Sequence, residues 1–173
     1  MIKKEFIQLY NKAIRLAIIA HYGQRDISGE PYILHPLIVS EKCFSDEGKI
    51  VALLHDVIED STISADDIKK EILHDDIVTA VVLLTKTEND KKGEGYKKYL
   101  ERIKANKLAR EVKIADLKHN MDLSRINRPL TEWDKKRQNK YIKSFNYLTD
   151  VTKEYVLWGE DLWKIIKRFY VSF

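Results

Sequence analysis

Cysteine is almost absent: the single thiol, Cys43, excludes an internal disulfide, fits a reducing compartment and reads as a small core residue. Proline and glycine are scarce as well, three and six in 173 residues, which suits a mostly helical chain better than a loop-rich one. No run of about 18 apolar residues exists anywhere, so no membrane-spanning helix is expected. The opening Met1-Ile-Lys-Lys-Glu-Phe6 lacks the unbroken apolar stretch of a signal peptide, since Lys12 and Arg15 interrupt the pattern that follows. A cytoplasmic protein is the expectation. Charge of one sign is missing too: 31 basic and 27 acidic side chains are mixed along the chain and sum to +4. That is a solvated surface, with neither a nucleic-acid stripe nor a membrane anchor. The small basic excess favours an anionic small molecule as partner, and no internal repeat or low-complexity tract is present.

What remains, 44% hydrophobic residues in a chain of single-domain length, predicts one all-α domain over 1–173. Phe6, Leu9, Tyr10, Ala13, Ile14, Ala17 and Ala20 recur at helical spacing and predict a first helix over about 4–22, ended by Gly23. Gly29 and Pro31 mark residues 24–32 as a loop leading to His35-Pro36, where Pro36 suits the first turn of a helix continuing through Leu37 to Phe44. Ser45 or Asp46 caps a third helix, Ser64-Ala-Asp-Asp67 is shaped like a capping box, and Asp75 reads as the N-cap of the helix bearing Val78, Val81, Val82 and Leu84. Thr87 to Gly95 reads as a polar loop and a candidate lid. Leu108 to Met121 is a further helix, Thr131 caps a long one running to about 155, and an amphipathic helix around Leu162 to Tyr170 closes the chain. Trp133, Trp158, Trp163 and most tyrosines fall among apolar neighbours and are assigned to core or subunit packing, so a homo-oligomer is compatible with the sequence.

Chemistry concentrates in Val51-Ala-Leu-Leu-His55-Asp56-Val-Ile-Glu59-Asp60. If this stretch is one helix, His55 and Glu59 share a face, as do Asp56 and Asp60 on the adjoining one. The His55-Asp56 pair alone also fits a buried histidine bonded to a neighbouring carboxylate. With His35 and Asp116 it forms a set of imidazoles and carboxylates suited to Mn²⁺, Fe²⁺, Mg²⁺ or Zn²⁺, and the lack of thiolate ligands argues against a structural zinc site. Such an ion lowers the pKa of bound water and polarises a phosphoryl oxygen, and Glu59 and Asp60 are placed to orient or deprotonate that water.

Four segments, His21-Tyr-Gly-Gln24, Ser28-Gly-Glu-Pro-Tyr32-Ile-Leu-His35-Pro36, Ala52-Leu-Leu-His-Asp-Val-Ile-Glu-Asp60 and Val112-Lys-Ile-Ala-Asp116-Leu-Lys-His-Asn120-Met, resemble in order the HD-domain metal-dependent phosphohydrolases. More narrowly they look like the hydrolase domain of the bacterial alarmone enzymes and their small stand-alone relatives. The resemblance spans residues 13–125 and implies an HD-domain helical bundle that uses Mn²⁺ to remove pyrophosphate from the 3′ position of (p)ppGpp. It further implies His35, His55, Asp56 and Asp116 as metal ligands, Glu59 and Asp60 as the catalytic acidic pair, and Asn120 as a substrate contact. Arg25, Tyr32 and Lys113 join the substrate-binding candidates, with Lys118 and Arg125 as further cations near the phosphates. Two departures stand out. Arg25-Asp26-Ile27 lies where the family carries a basic cluster, with Asp26 in the place of the arginine that packs on the guanine ring. The family's Asp-Arg-Leu-His-Asn reads here Asp116-Leu-Lys-His-Asn120. His119, one turn beyond Asp116, is assigned a supporting role.

Overall fold

Residue patterning at the centre of the chain decides the architecture. In Asp46–Leu54, the third helix (α3), Ile50 to Leu54 are all fully buried, so the helix has no solvent face beyond its first turn and must be surrounded. A computed structural model, describing residues 1–90 and 93–151, packs around it α1 (Lys3–Ala20), α2 (Leu34–Glu41), α6 (Asp75–Leu84) and α8 (Lys107–Met121). The short α4 (Val57–Asp60), α5 (Ala65–Ile72), α7 (Gly93–Ala105) and α9 (Glu132–Thr149) complete an all-α bundle, and no strand occurs among the described residues. No helix among them is long and apolar enough to cross a membrane.

Local chemistry sets the joints. Ser45 Oγ accepts the Gly48 amide as the cap of α3, and Glu111 of α8 accepts the Phe44 and Ser45 amides and the Ser45 hydroxyl, which ties the start of α3 to α8. Glycine is required at 48, because a Cβ there would sit 2.6 Å from both the Glu111 carboxylate and Ser45 Oγ. Reciprocal capping boxes open α5 at Ser64/Asp67 and α9 at Thr131/Asp134. Gly23, at φ +74°, turns the chain out of α1, which ends at Ala20. Cys43 is buried, and burial followed by the nearby Glu111 pushes its thiol up to about 12, so it is inert packing.

Several sequence expectations are corrected. The decapeptide is not one helix: α3 stops at Leu54, His55 and Asp56 form a turn, and α4 resumes at Val57. The carbonyl of Ala52, which an unbroken helix would offer to the Asp56 amide, instead takes the His55 Nδ1–H at 2.6 Å. The second helix ends at Glu41, short of Phe44, which is exposed. His74, not Asp75, occupies the N-cap of α6 and makes no side-chain capping bond, while Asp75 and Asp76 sit in the first turn and favour the positive helix end. Trp133 is exposed, with the Arg137 guanidinium 5.1 Å from its ring centre, rather than in the core. Trp158, Trp163 and the helix expected around Leu162 to Tyr170 lie outside the described residues, whereas the long helix expected to run to about 155 ends at Thr149, where Asp150 takes the left-handed conformation as its C-cap.

The expected lid is also more ordered than a loop. Glu88–Asp90 form a 3-10 turn and α7 begins at Gly93. Buried Asp90 receives both Arg102 nitrogens at 2.8 and 2.9 Å and the Thr87 amide and hydroxyl at 2.8 Å each. Arg102 also caps the Leu83 and Thr85 carbonyls. Breaking this buried pair by Arg102→Met is expected to cost about 2–3 kcal/mol of stability at neutral pH. Arg102 is the main cause holding the Asp90 carboxyl below its usual range, so the pair stabilises the fold above about pH 4 and loses that contribution as the carboxylate is protonated. The gap in urea midpoint between wild type and variant should therefore shrink below pH 4, and a gap independent of pH would refute the assignment.

Candidate metal centre and active site

The turn at His55-Asp56 directs two consecutive side chains into one place, where α2 brings His35 and α8 brings Asp116. Nε2 of His35 and Nε2 of His55 are 3.2 Å apart, and Asp116 Oδ1 lies 3.3 and 3.9 Å from them. Asp56 Oδ2 lies 3.1 Å from His55 Nε2 and 3.5 Å from His35 Nε2. The group in which every donor atom lies within 4.8 Å of every other, among the described residues, is His35, His55 and Asp116; Asp56 approaches both histidines but is not a member. Donor atoms on one ion at about 2.0–2.2 Å lie roughly 3.0–3.6 Å apart, close to most of these separations.

Hydrogen bonding shows that the cluster suits a cation. The Ala52 carbonyl can only accept, so His55 donates to it from Nδ1 and turns its Nε2 toward Asp56 and Asp116. On His35, Nδ1 meets His119 Nδ1 at 2.7 Å. Burial, reinforced by His35 and Arg125, pulls His119 down to about 4, so His119 is neutral and accepts, leaving His35 Nε2 to face the cluster. Two ring nitrogens and two carboxylate oxygens thus converge on one point. Burial opposes a positive charge on His35, yet hydrogen bonds donated by His35 to Asp116 and Asp56 outweigh it and push His35 up to about 9. Burial would raise the two carboxyls, but the field of His55 for Asp56 and of Lys113 for Asp116, with His35 hydrogen bonds, holds both below their usual range. A divalent ion fits this buried His/His/Asp set, and each imidazole is aimed by a bond at its other nitrogen.

The remaining candidates fall in three groups. Tyr32 donates to Asp56 Oδ2 at 2.6 Å and packs its ring between His21 and His35, so it belongs to the centre; burial, then Asp56, raises its phenol. Lys113 and Asn120, on the Asp116 face of α8, both donate to the Asp116 carboxylate, Lys113 to Oδ2 at 2.8 Å. Glu59 and Asp60 sit on the exposed rim at the end of α4. Glu59 is gripped by the Lys86 ammonium at 3.0 Å to each oxygen and by the Lys86 amide at 3.2 Å. Burial, then the Asp56 and Glu59 carboxylates, pushes Asp60 up to about 6. Arg25 does not join the centre: its guanidinium donates to Gly29 in its own loop at 2.7 Å. Asp26 caps that loop by accepting the Ser28 and Glu30 amides and binds Arg125 at 2.8 Å, so Arg125 is engaged by a carboxylate, and Lys118 points to solvent.

Sequence reasoning missed three contacts. Lys86 stands in no motif, and nothing local announces its pairing with Glu59. Arg137 donates to Asn120 Oδ1 at 3.3 Å from a helix seventeen residues on. Gln24 donates to the Asp60 carbonyl at 2.8 Å and accepts from His21 Nδ1 at 2.8 Å, joining the end of α1 to the acidic pair. The proximity of His21 and Gln24 in one motif was the only available signal for the last.

No family model matches the chain. It is 31% identical over 141 residues to the guanosine-3′,5′-bis(diphosphate) 3′-pyrophosphohydrolase MESH1 of Drosophila melanogaster, covering 76% of this chain and 78% of that protein. It is 36% identical over 120 residues to the guanosine-3′,5′-bis(diphosphate) 3′-pyrophosphohydrolase of Borreliella burgdorferi, covering 64% of this chain and 18% of the relative. It is 34% identical over 144 residues to the bifunctional (p)ppGpp synthase/hydrolase SpoT of Escherichia coli, covering 76% of this chain and 20% of the relative. The chain therefore spans about a fifth of these two bacterial proteins. A solved structure described as a metazoan orthologue of SpoT that hydrolyses ppGpp superposes with a TM-score of 0.70 at 23% identity, covering 93% of this chain and 95% of that one, which establishes the shared fold.

Proposed function

Because this chain belongs to the family of guanosine-3′,5′-bis(diphosphate) 3′-pyrophosphohydrolases, we propose that it is a metal-dependent phosphohydrolase that removes pyrophosphate from the 3′ position of (p)ppGpp, with residues 1–173 acting as one hydrolase domain. The observation that carries the reading is the buried His35/His55/Asp116 set adjoined by Asp56. His35, His55, Asp56 and Asp116 would hold the ion, for which Mn²⁺ is the proposed identity. When bound, that ion supplies positive charge to a phosphoryl oxygen and acidity to water.

The chain's own groups do the rest. One carboxylate of the Glu59/Asp60 pair takes a proton from the attacking water, whose oxygen bonds to the 3′-linked phosphorus as the bond from that phosphorus to the nucleoside 3′-oxygen breaks, and the proton is passed to that leaving oxygen to give the 3′-hydroxyl. Lys86 holds the Glu59 carboxylate in place, and Gln24 fixes the Asp60 backbone. Tyr32 steadies the Asp56 carboxylate that faces the two imidazoles. Asn120, aligned by Arg137, and Lys113 are the substrate-side groups of α8.

A second reading, hydrolysis of another phosphorylated nucleotide, is favoured by one observation. Arg25 is folded onto Gly29 and Asp26 is locked to Arg125, so neither offers a free planar cation to a guanine ring. Incubation with Mn²⁺ and ppGpp, pppGpp, adenine analogues, NADPH or deoxynucleotides decides between the two. Release of pyrophosphate from ppGpp is the expected result. Preference for an adenine substrate would select the second reading, and binding without turnover across the panel would sink both.

A further inference from the structure

Beyond the metal cluster, three ammonium groups gather around two stacked tyrosines. Lys86 and Lys113 lie 5.7 and 5.6 Å from the Tyr99 ring centre, and Lys140 lies 3.9 Å from that of Tyr96, whose ring is 5.7 Å from Tyr99. The groups belong to different elements: Lys86 follows α6, Lys113 is on α8 and Lys140 on α9. Two carboxylates answer them, Glu59 for Lys86 and Asp116 for Lys113. Lys140 has the Tyr96 ring face but no ion pair among the described residues. Partial covering of its side chain, then the nearness of Lys86 and Lys113, lowers its pKa against the opposing charge of Glu59. Lys140 and Tyr96 also line a groove of about 570 Å³ between α7 and α9, whose walls carry Lys136, Lys143 and Tyr147 as well, while Lys86 and Lys113 lie behind it on the side of the metal cluster.

We propose that Lys86, Lys113 and Lys140 form an anion subsite for a diphosphate group, one step from the metal centre. The inference rests on the proposed hydrolysis for the identity of the diphosphate, which would be the pyrophosphate being released. Lys113 binds Asp116 Oδ2 while Oδ1 of the same carboxylate faces His35, and Lys86 binds Glu59 of the acidic pair, so the subsite borders the reacting end of the centre. A phosphate beside the metal would leave the second phosphate of the diphosphate to be met by these ammonium groups. A dianionic terminal phosphate relieves the repulsion among the three cations and gains charge-assisted hydrogen bonds. Aromatic walls limit water around the ammonium groups without competing as acceptors. An ordinary solvated lysine face would spread its cations over one helix, whereas these converge from three.

Inorganic pyrophosphate is the probe. Isothermal titration into Mn²⁺-loaded protein and into chelator-treated protein should give weaker binding for Lys140→Gln than for wild type in both, by about tenfold. Lys140→Arg should recover most of the affinity, and Lys69→Gln, an exposed site on α5, should change nothing. Orthophosphate should bind more weakly than pyrophosphate and lose less on Lys140→Gln, since it cannot span the centre and the subsite. Lys140 is exposed on α9, so unchanged melting of the variant accompanies the measurement. Pyrophosphate binding equal in wild type and Lys140→Gln would overturn the proposal even if ppGpp is hydrolysed. If ppGpp is not a substrate but the tenfold loss is found, the subsite stands and the proposed reaction falls.

Discussion

Asp116→Ala is expected to abolish divalent-metal binding and to cost about 3–5 kcal/mol of folding stability in the same step. The two losses have different origins. Asp116 Oδ1 faces His35 and His55, whereas Oδ2 neutralises Lys113, whose ammonium is buried with it. Removing the carboxylate takes away a ligand and strands a cation in the core, where its pKa is otherwise held above the normal lysine value by Asp116 against the opposing effect of burial. The double variant Asp116→Ala/Lys113→Met separates the effects. It should regain most of the stability in urea titrations but none of the metal uptake measured by calorimetry or elemental analysis. Metal uptake by the single variant equal to wild type would remove Asp116 from the ligand set.

Asp60→Asn should behave in the opposite sense. Turnover is expected to fall about 10²–10⁴-fold, the range of a lost general acid or base, while metal affinity stays near wild type because Asp60 contacts no ligand atom through its side chain. Stability of the chelator-treated protein should rise. Burial and the Asp56 and Glu59 charges push the folded-state carboxyl up to about 6, above the unfolded value of about 3.9. The folded state therefore binds the proton more tightly, and the penalty for ionising Asp60 is absent below pH 4, grows as pH rises toward 6 and is complete above it. Thermal melts of wild type and variant should coincide at pH 4 and separate by pH 7, with the variant higher. A variant that melts lower at pH 7 would contradict the electrostatic account, and one that keeps full turnover would remove Asp60 from the mechanism. The pairing of lost activity with gained stability is the pattern of a functional strain.

Much of this arrangement was legible because its causes are local. Caps at Ser45, Ser64 and Thr131 need only the residues within one turn, and the apolar face of α1 needs only its own period. The meeting of His35, His55 and Asp116 was legible because imidazoles and carboxylates stand in ordered motifs. What escaped depends on partners distant in sequence. Lys86 meets Glu59 across 27 residues, His119 meets His35 across 84, and Asp26 meets Arg125 across 99. Asp26 in particular read as a missing cation, yet its carboxylate accepts two amides of its own loop and the guanidinium of Arg125, in the 3-10 turn just beyond α8. The break after Leu54 escaped for another reason: residues 51–60 carry a helical pattern on both sides, and only the imidazole bond to the Ala52 carbonyl interrupts it.

That single bond has a consequence for how the site can vary. The bond from His55 Nδ1 to the Ala52 carbonyl fixes the direction of its Nε2 at the junction of α3 and α4, so the residue proposed as a ligand also stands where the chain leads on to Glu59 and Asp60. A replacement at 55 able to ligate but unable to reach the Ala52 carbonyl would free that acceptor for the Asp56 amide and let the two helices fuse. Both residues of the turn already have right-handed helical dihedrals, so the change would be a local tightening at Asp56 felt by the acidic pair one turn on, although neither Glu59 nor Asp60 had been touched. Ligand chemistry and acid–base alignment are consequently one inherited variable at this position, and they can only be changed together.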